Sequence, residues 1–229
     1  MIIDVGNRII TKIERAPVEL IEKFRGIPSS NIGDIMNRLY CMSGAIKAMT
    51  NIPLLGPAFT VKVPEGDNVF LHQAIELAQP GDIIVVDSSG CETRSLMGEM
   101  MFTYSQARGI GGFVLDGSIR DVESLTTLNM PVYARAVTPQ GPLKNGPGEI
   151  NVPIACGGQV VMPGDIVVGD GDGVCVIPKA DAAKIYQAAR EKFEKEQATL
   201  EKYRRCEIDC EKHAKGYMEI TEKLQTSYL

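Results

Sequence analysis

Residues 98–121, GEMMFTYSQARGIGGFVLDGSIRD, combine a helical pattern and a strand pattern in one short segment. Apolar and small residues recur with a period near 3.6 over Gly98–Ala107, which predicts a helix. Gly109 suits the left-handed position at which helices end. The apolar run Gly112–Leu115 then predicts a buried strand. A helix that leads into a buried strand is half of a βαβ-like unit, so this segment predicts an α/β fold.

Polar residues surround this helix and strand. Asp116-Gly117 predicts a turn after the strand, and Arg120-Asp121 place opposite charges side by side. Glu99 lies at the start of the helix, where backbone N–H groups and the helix dipole favour an anion. The polar segment 87–95 is longer than a minimal connection. Because ligands of open α/β sheets gather at strand ends, we predict a site here. The simpler alternative is a capped turn with a surface Arg–Asp ion pair.

The composition excludes several classes of protein. The chain has 229 residues, of which 44% are hydrophobic, so it can bury a substantial core. A net charge of −5 argues against a nucleic-acid-binding surface, which needs a clustered basic face. No apolar run approaches the ~18 residues of a membrane span. The first residues lack a signal-peptide pattern, so we expect a cytoplasmic protein.

The six cysteines and two histidines do not predict a zinc or disulfide framework. The cysteines are scattered, and we expect them to be reduced thiols. Cys206, Cys210 and His213 would share one face of a continuous helix, but no fourth zinc ligand is near them in the sequence. His72 is expected on a helix surface. Neither histidine falls in the predicted site, which disfavours a Ser-His-Asp hydrolase.

Patterns elsewhere predict short helices first and then a β-rich half. Predicted helices begin at Pro17, after Ser29-Ser30 (ending near Tyr40), at Asn68 (ending at Gln79 and capped by Asp67) and at Val122 (ending at Leu128). Predicted strands cover Leu54–Val63, Ile83–Val86, Pro131–Val137, Gly157–Val161, Ile166–Val168 and Val174–Ile177. Residues 138–149, rich in Gly and Pro, predict a loop.

The last fifty residues differ from the rest. From Lys179 the chain is charged and helical, and this helix is expected to continue past Tyr203. Its apolar stripe is thin, which suggests packing on a neighbour, such as another subunit. We therefore divide the chain into a catalytic domain, residues 1–178, and a C-terminal helical extension, residues 179–229.

The ordered motifs resemble the RraA-like family. They are Gly98-Glu99, Gly109-x-x-Gly112 and Asp116-Gly117-x-x-Arg120-Asp121, and the resemblance covers roughly Ile27 to Pro178. That family includes divalent-metal-dependent 4-hydroxy-4-methyl-2-oxoglutarate aldolases and the regulator of ribonuclease activity A. The resemblance implies a layered β/β/α fold of the swivelling type, assembled as a homotrimer or homohexamer. The predicted fold class is thus α/β, with a helical N-terminal segment and a long C-terminal helix.

The resemblance also implies roles for the site residues. Asp121 would bind the metal, and Arg120 would bind the substrate and the enolate formed from it. The segment Gly98-Glu99-Met100-Met101 would bind the substrate carboxylate through backbone N–H groups. Glu99 stands where the aldolases use an acidic residue to position a water. Those aldolases also take a carboxylate from the C-terminal helix of an adjacent subunit. Glu191, Glu194 and Glu196 are available for that role, and the sequence does not choose among them.

The residues themselves are compatible with this chemistry. A single carboxylate without a neighbouring His or Cys suits a hard cation such as Mg²⁺ or Mn²⁺. A small 2-oxo acid can chelate that cation, and cleavage of the bond β to its ketone leaves a pyruvate enolate, which Arg120 and the metal would stabilise. We expect Glu99 to take the C4 hydroxyl proton in aldol cleavage. Oxaloacetate decarboxylation needs no such base.

Two other functions remain as alternatives. A protein-binding regulator of the ribonuclease-inhibitor type would share the fold, but that branch does not keep the metal-binding Asp, whereas Arg120-Asp121 is intact here. A methyltransferase would need a glycine loop that follows a strand and opens a helix. Gly109-Ile-Gly-Gly112 instead comes before its predicted strand, so the sequence favours the lyase.

Overall fold

The computed structural model describes residues 4–207 and 209–224. Over these residues the chain forms eleven strands: β1 (Asn7–Ile9), β2 (Lys47–Ala48), β3 (Leu54–Lys62), β4 (Ile83–Met97), β5 (Gly112–Ile119), β6 (Val132–Val137), β7 (Gly148–Ile150), β8 (Ile154–Cys156), β9 (Gln159–Val161), β10 (Ile166–Asp170) and β11 (Gly173–Ile177). It also forms six α-helices: α1 (Val18–Glu22), α2 (Ser29–Ile35), α3 (Val69–Leu77), α4 (Glu99–Ala107), α5 (Ala182–Arg204) and α6 (Cys210–Lys223). A 3₁₀ helix covers Ser124–Thr127.

A mixed sheet organises the fold, in the order β1-β7-β3-β4-β5-β6-β2. Strands β3, β4, β5 and β6 run parallel to one another. β10 pairs antiparallel with the first residues of β3, and β11 continues from β10 as a hairpin. The carboxyl ends of β4 and β5 lie side by side, since Met97 pairs with Ile119.

The sheet is buried on both faces, so apolar residues run continuously along its central strands. Ile84 and Val86 contribute to a core shared with α3 and α4, while Ile83 and Val85 face a core shared with strands β8 to β11. This arrangement is the predicted layered β/β/α fold. In the helix layer Phe102 of α4 packs edge-on against Phe113 of β5, with ring centroids 5.7 Å apart. Burial of such a side chain contributes about 1.5–3 kcal/mol.

Two polar segments beside the predicted site are strands, contrary to prediction. Asp116-Gly117 is not a turn, because β5 continues through both residues to Ile119. Asp116 pairs with Asp87, and the polar segment that follows Asp87 belongs to an irregular part of β4 with three register shifts. The actual turn follows the end of β5, where the Ser124 N–H donates to Asp121 O.

The start and end of α2 also differ from prediction. The predicted cap at Ser29 does not form, since the helix begins there and its side chain makes no cap hydrogen bond. Ser29 Oγ instead donates to Asp170 Oδ1 at 2.7 Å, which ties α2 to the end of β10. The helix ends at Ile35 and not near Tyr40. It cannot continue as predicted because Asn37 and Arg38 adopt left-handed conformations.

Several smaller elements refine the predicted pattern. Asp67, predicted to cap α3, lies one residue before the N-cap Asn68. The end of the loop predicted over residues 138–149 belongs to β7. Gly157, predicted to begin a strand, instead turns the β8–β9 hairpin with a φ of 56°. The predicted helix after Val122 is the short 3₁₀ helix.

The described residues fall into two compact units, one ending at Arg190 and the other beginning at Glu191. The first contains the whole sheet and every predicted site residue. In the second, Cys206 has a φ of 57° in the link between α5 and α6, so Cys206 does not share a helical face with Cys210 and His213. The described helices include none that is both long and apolar enough to cross a membrane. The predicted domain boundary after residue 178 stays a prediction.

Candidate active site

The predicted site residues meet where β4 ends, β5 ends and α4 begins. The backbone N–H of Arg120 donates to Met97 O at 3.1 Å, which holds the residue after β5 against the end of β4. Asp121 then turns the chain with a φ of 58°. The N–H and the hydroxyl of Ser124 both donate to Asp121 O, at 3.1 and 2.7 Å. These contacts of the backbone fix the position of Asp121 independently of its side chain.

Gly98 lets Arg120 and Asp121 approach the start of α4. Its carbonyl accepts the N–H groups of Met101 and Phe102, so it lies at the first turn of the helix. A Cβ on Gly98 would lie 2.3 Å from Asp121 Oδ2 and 2.8 Å from Arg120 Cγ. No side chain fits into that space, which accounts for glycine at this position.

The Asp121 carboxylate rests on the N-terminus of α4. Its Oδ2 accepts the N–H of Glu99 at 3.1 Å and lies 3.5 Å from Arg120 Nε. An anion at a helix N-terminus gains about 0.3–1 kcal/mol. Both charged side chains are nonetheless 45% exposed. The ion pair of the simpler sequence interpretation thus exists, but it leaves both groups open to a ligand.

The four backbone N–H groups predicted to bind a carboxylate are not equivalent. Glu99 donates to Asp121, and Met101 donates to Gly98 O. Within the described residues the N–H groups of Gly98 and Met100 have no acceptor. These two remain for an external anion. The side chain of Glu99 is exposed, Met101 is partly buried, and Met100 is 85% exposed.

Asn68 lies beside the predicted site residues, between the end of β4 and α4. Its Nδ2 donates to Leu96 O at 2.8 Å and contacts Met101 Sδ at 3.5 Å, which links the end of β4 to α4. Its Oδ1 is buried and has no partner among the described groups. A buried amide oxygen without a donor is costly, so the position is suited to a water or a ligand that donates. The sequence analysis placed Asn68 at the start of a helix and gave it no role in the site.

The loop before β7 lies close to Arg120. A Cβ on Gly141 would lie 3.4 Å from Arg120 Nη1. Asp67 holds this loop, because its Oδ2 accepts the N–H groups of Asn145 and Gly146 at 2.6 and 2.9 Å. Ser95 adds a second anchor, since its N–H and hydroxyl both donate to Gln140 O. The loop predicted over residues 138–149 is thus tied to Asp67 and Ser95 and lies against Arg120.

Asp116, which belongs to the same sequence motif, has a different environment. Its carboxylate is buried between Arg135 Nε at 2.5 Å and the N–H of Gly157 at 2.8 Å. These contacts join β5 to β6 and to the β8–β9 turn. We interpret Asp116 as structural. Beside it, burial raises the pKa of the Cys156 thiol well above its ordinary value, so this cysteine stays protonated and unreactive.

A hard divalent cation fits the residues around Asp121. The described residues include no cluster of three or more His, Cys, Asp or Glu, so a closed protein cage is absent from this part of the chain. Asp121 Oδ2 is engaged, whereas no described group bonds to its Oδ1. One available carboxylate oxygen agrees with Mg²⁺, which is usually held by one or two carboxylates, waters and substrate.

The sequence of most of this chain matches one protein family. The RraA-like profile, described as Aldolase/RraA, matches residues 29–176. The chain belongs to the RraA-like family. The matched range contains all the residues of the candidate site.

The similar proteins include some that are named as aldolases and some that are named as ribonuclease inhibitors. A protein of Halalkalibacterium halodurans, provisionally named 4-hydroxy-4-methyl-2-oxoglutarate aldolase, is 41% identical over 79% of this chain and 86% of its own length. Among solved structures, Streptomyces coelicolor RraAS2 is described as an unusual member of the RNase ES inhibitor RraA family. It is 28% identical, with a TM-score of 0.75 over 82% of this chain and 99% of its own. The RNA-processing inhibitor RraA of Thermus thermophilus is 26% identical, with a TM-score of 0.61 over 66% and 92%.

Proposed function

We propose that this chain is a divalent-metal-dependent carbon–carbon lyase. It would release pyruvate from a 4-hydroxy-2-oxo-dicarboxylate such as 4-hydroxy-4-methyl-2-oxoglutarate and would decarboxylate oxaloacetate as a side activity. The observation that carries the proposal is the meeting of Asp121, Arg120 and two unpaired N–H groups at the start of α4. The names of the aldolase relatives support the same class of reaction.

The substrate carboxylate would bind the N–H groups of Gly98 and Met100. Backbone N–H groups at a helix N-terminus are a ready site for an anion, and the dipole adds to the attraction. The Asp121 carboxylate already neutralises part of the positive potential at this helix N-terminus. The nearby guanidinium of Arg120 would supply the additional positive charge that binds the substrate carboxylate. Both contacts recognise the 2-oxo acid part that is common to the proposed substrates.

Asp121 would hold the cation, Mg²⁺ or Mn²⁺, through the carboxylate oxygen that no described group engages. When bound, such a cation acts as a Lewis acid toward the 2-oxo group. Asp121 is suited to this role because the Glu99 N–H and Arg120 orient its carboxylate while leaving it exposed.

Arg120 would stabilise the enolate oxygen that develops during cleavage. A cationic or N–H group placed where negative charge develops typically lowers the activation barrier by a few kcal/mol, about 2.7–4 kcal/mol for one oxyanion donor. Glu99 would take the proton of the C4 hydroxyl, directly or through a water, since its side chain is exposed at the same helix end. Decarboxylation of oxaloacetate would use Arg120 but not Glu99.

The direct test is pyruvate formation from each substrate with purified protein, with and without Mg²⁺. The proposal expects release from both, lost in excess chelator and restored by added Mg²⁺ or Mn²⁺. No release from either substrate at saturating metal would contradict it.

We also propose a homotrimer or homohexamer, because the long helix α5, Ala182–Arg204, carries only a thin apolar stripe. Sedimentation at micromolar concentration tests this. A single species with the 24.9 kDa mass of one chain would refute it.

A protein-binding regulator is the second candidate, favoured by the likeness to RraAS2 and to the Thermus inhibitor. A regulator of this kind would not use the metal-dependent chemistry proposed for Asp121 and Arg120. Inhibition of a ribonuclease by the chain, unchanged in Asp121→Asn and without any pyruvate release, would favour the regulator over the lyase.

A further inference from the structure

Two cysteines that are far apart in the sequence lie in contact in the fold. Cys41 and Cys175 are separated by 134 residues, yet their Sγ atoms are 3.4 Å apart. The two residues are antiparallel bridge partners. The flanking hydrogen bonds run from Met42 N to Val174 O and from Val176 N to Tyr40 O, at 2.8 and 3.0 Å.

This backbone pattern suits a disulfide. Cys41 and Cys175 are a directly opposed pair whose own N–H and C=O groups point away from each other. Such pairs have Cα atoms about 4.5 Å apart, with side chains closer than in hydrogen-bonded pairs. Disulfides span Cα separations of about 4.4–6.8 Å. The sulfurs need only a small side-chain rotation to bond.

The two thiols have unequal access to solvent. Cys175 is buried, and its thiol donates to Ser29 O at 3.4 Å. Burial and the adjacent Cys41 raise the pKa of the Cys175 thiol, so Cys175 is not the thiol expected to react first with peroxide. Cys41 is only partly buried. Its sulfur lies against α2 at Gly33, where a Cβ would be 2.7 Å away. Cys41 is therefore the more accessible residue of the pair, and we expect peroxide to react with its thiol first.

We propose that Cys41 and Cys175 are a modification site, at which a peroxide closes a reversible intramolecular disulfide. Hydrogen peroxide oxidises the Cys41 sulfur to a sulfenic acid, and one oxygen leaves as water. The Cys175 sulfur then bonds to the Cys41 sulfur, and the hydroxyl departs with the Cys175 proton as a second water. Two thiols are oxidised and one peroxide is reduced. A dithiol reductant reverses the change.

The other cysteines lack this arrangement. Cys91 and Cys156 are buried, and Cys206 and Cys210 are exposed in the second unit. Among the described residues no second pair of cysteine sulfurs is in contact. An intramolecular bond is therefore expected between Cys41 and Cys175 before any other pair.

The bond would stabilise the fold without reaching the candidate active site. It would join the segment after α2 to β11, which lies beside β10 and the first residues of β3. Arg120 and Asp121 follow the opposite, carboxyl end of β5. Closing a loop of this length restricts the unfolded chain, so oxidation is expected to raise the melting temperature. This inference does not depend on the proposed lyase function.

The experiment treats the full chain with hydrogen peroxide at neutral pH and maps its peptides without reduction. We expect a linked pair of peptides containing Cys41 and Cys175, two fewer titratable thiols, and a melting temperature higher by several degrees. Dithiothreitol should restore the thiols and the original melting temperature. The double variant Cys206→Ser/Cys210→Ser is the matched control and should keep the link and the shift.

Cys41→Ser should lose both the linked peptides and the shift in melting temperature. Cys175→Ser should lose both as well. If that variant does not fold, the peptide map of the oxidised wild-type protein still tests whether Cys41 and Cys175 are linked. Oxidation of Cys41 to sulfinic acid without a cross-link, in protein that stays folded, would overturn the proposal. So would a peroxide-resistant Cys41 thiol, or a cross-link made only by Cys206 or Cys210.

Discussion

Gly98 and Asp121 approach so closely that a methyl group on Gly98 would lie 2.3 Å from the Asp121 carboxylate oxygen. The two residues are 23 positions apart in the sequence, and the pairing of β4 with β5 brings them together. The same approach allows the Glu99 N–H to reach Asp121. The position of the candidate metal ligand thus depends on the absence of a side chain at residue 98.

Gly98→Ala is expected to displace the Asp121 carboxylate and reduce pyruvate release by about 10²-fold, the scale of effect for a shift near 1 Å at a reacting group. Crowding of this kind should also lower the free energy of unfolding by about 1–3 kcal/mol. Steady-state kinetics and urea unfolding measure the two effects. Gly44→Ala is the matched control, since no described atom lies within 4 Å of the position of its Cβ. Equal activities of the two alanine variants would contradict the proposed geometry.

Asp121→Asn is expected to abolish metal-dependent lyase activity and to leave the fold intact. An asparagine can still accept the Glu99 N–H, and asparagine tolerates the left-handed conformation at this position. What it removes is the negative charge that a hard cation requires. Pyruvate release at saturating Mg²⁺ and the far-UV circular dichroism spectrum test the two halves of the prediction. Asp172→Asn, at an exposed position, should retain full activity. Full activity of purified Asp121→Asn would remove Asp121 as the metal ligand.

Asp67→Asn is expected to loosen the loop that lies against Arg120. The Asp67 carboxylate is buried and accepts the N–H groups of Val69, Asn145 and Gly146. An amide group must turn its NH₂ toward at least one of these donors, so we expect a loss of about 1–3 kcal/mol in the free energy of unfolding. A mobile loop should also raise KM more than it lowers kcat. Urea unfolding and substrate saturation curves measure these effects. Glu65→Gln, two residues earlier and exposed, should change neither quantity.

The central strands could be predicted from the sequence, because burial on both faces makes them continuous apolar runs. Ile83–Val86 and Gly112–Leu115 begin at the predicted residues. Asp116-Gly117 was wrongly predicted as a turn because that dipeptide favours turns locally. Contacts with Arg135 and Gly157, both distant in the sequence, compensate the buried Asp116 charge and let the strand continue. No local pattern carries such information.

In the candidate site, too, local patterns could be predicted from the sequence, whereas contacts between distant residues could not. Arg120 and Asp121 could be singled out from the sequence, because they follow a predicted buried strand and match a family motif. The bond between Glu99 N–H and Asp121 could not be predicted, since it depends on the register of β4 with β5. Asn68 was given no role in the site for a related reason: its buried side-chain oxygen without a partner is visible only in the three-dimensional packing.

Glu99 and Arg120 should separate the two reactions of the proposed lyase. Glu99→Gln should slow aldol cleavage far more than oxaloacetate decarboxylation, because only the first reaction has a hydroxyl proton to remove. General-base help is commonly worth about 10²–10⁴-fold. Arg120→Ala should depress both reactions by similar factors, since the enolate is common to both. The measurement is kcat for both substrates in both variants.

The competing explanation is that Glu99 only stabilises the N-terminus of α4, a contribution of about 0.3–1 kcal/mol. Its exposed side chain is compatible with that role, and its backbone N–H, which holds Asp121, is unchanged by the substitution. Glu99→Gln would then lower the free energy of unfolding slightly and leave the ratio of the two activities at the wild-type value. Since the carboxylate ligand and the guanidinium both survive in Glu99→Gln, a change in that ratio can come only from the lost base. Equal losses for the two substrates would therefore remove Glu99 from the mechanism while leaving the roles of Arg120 and Asp121 standing.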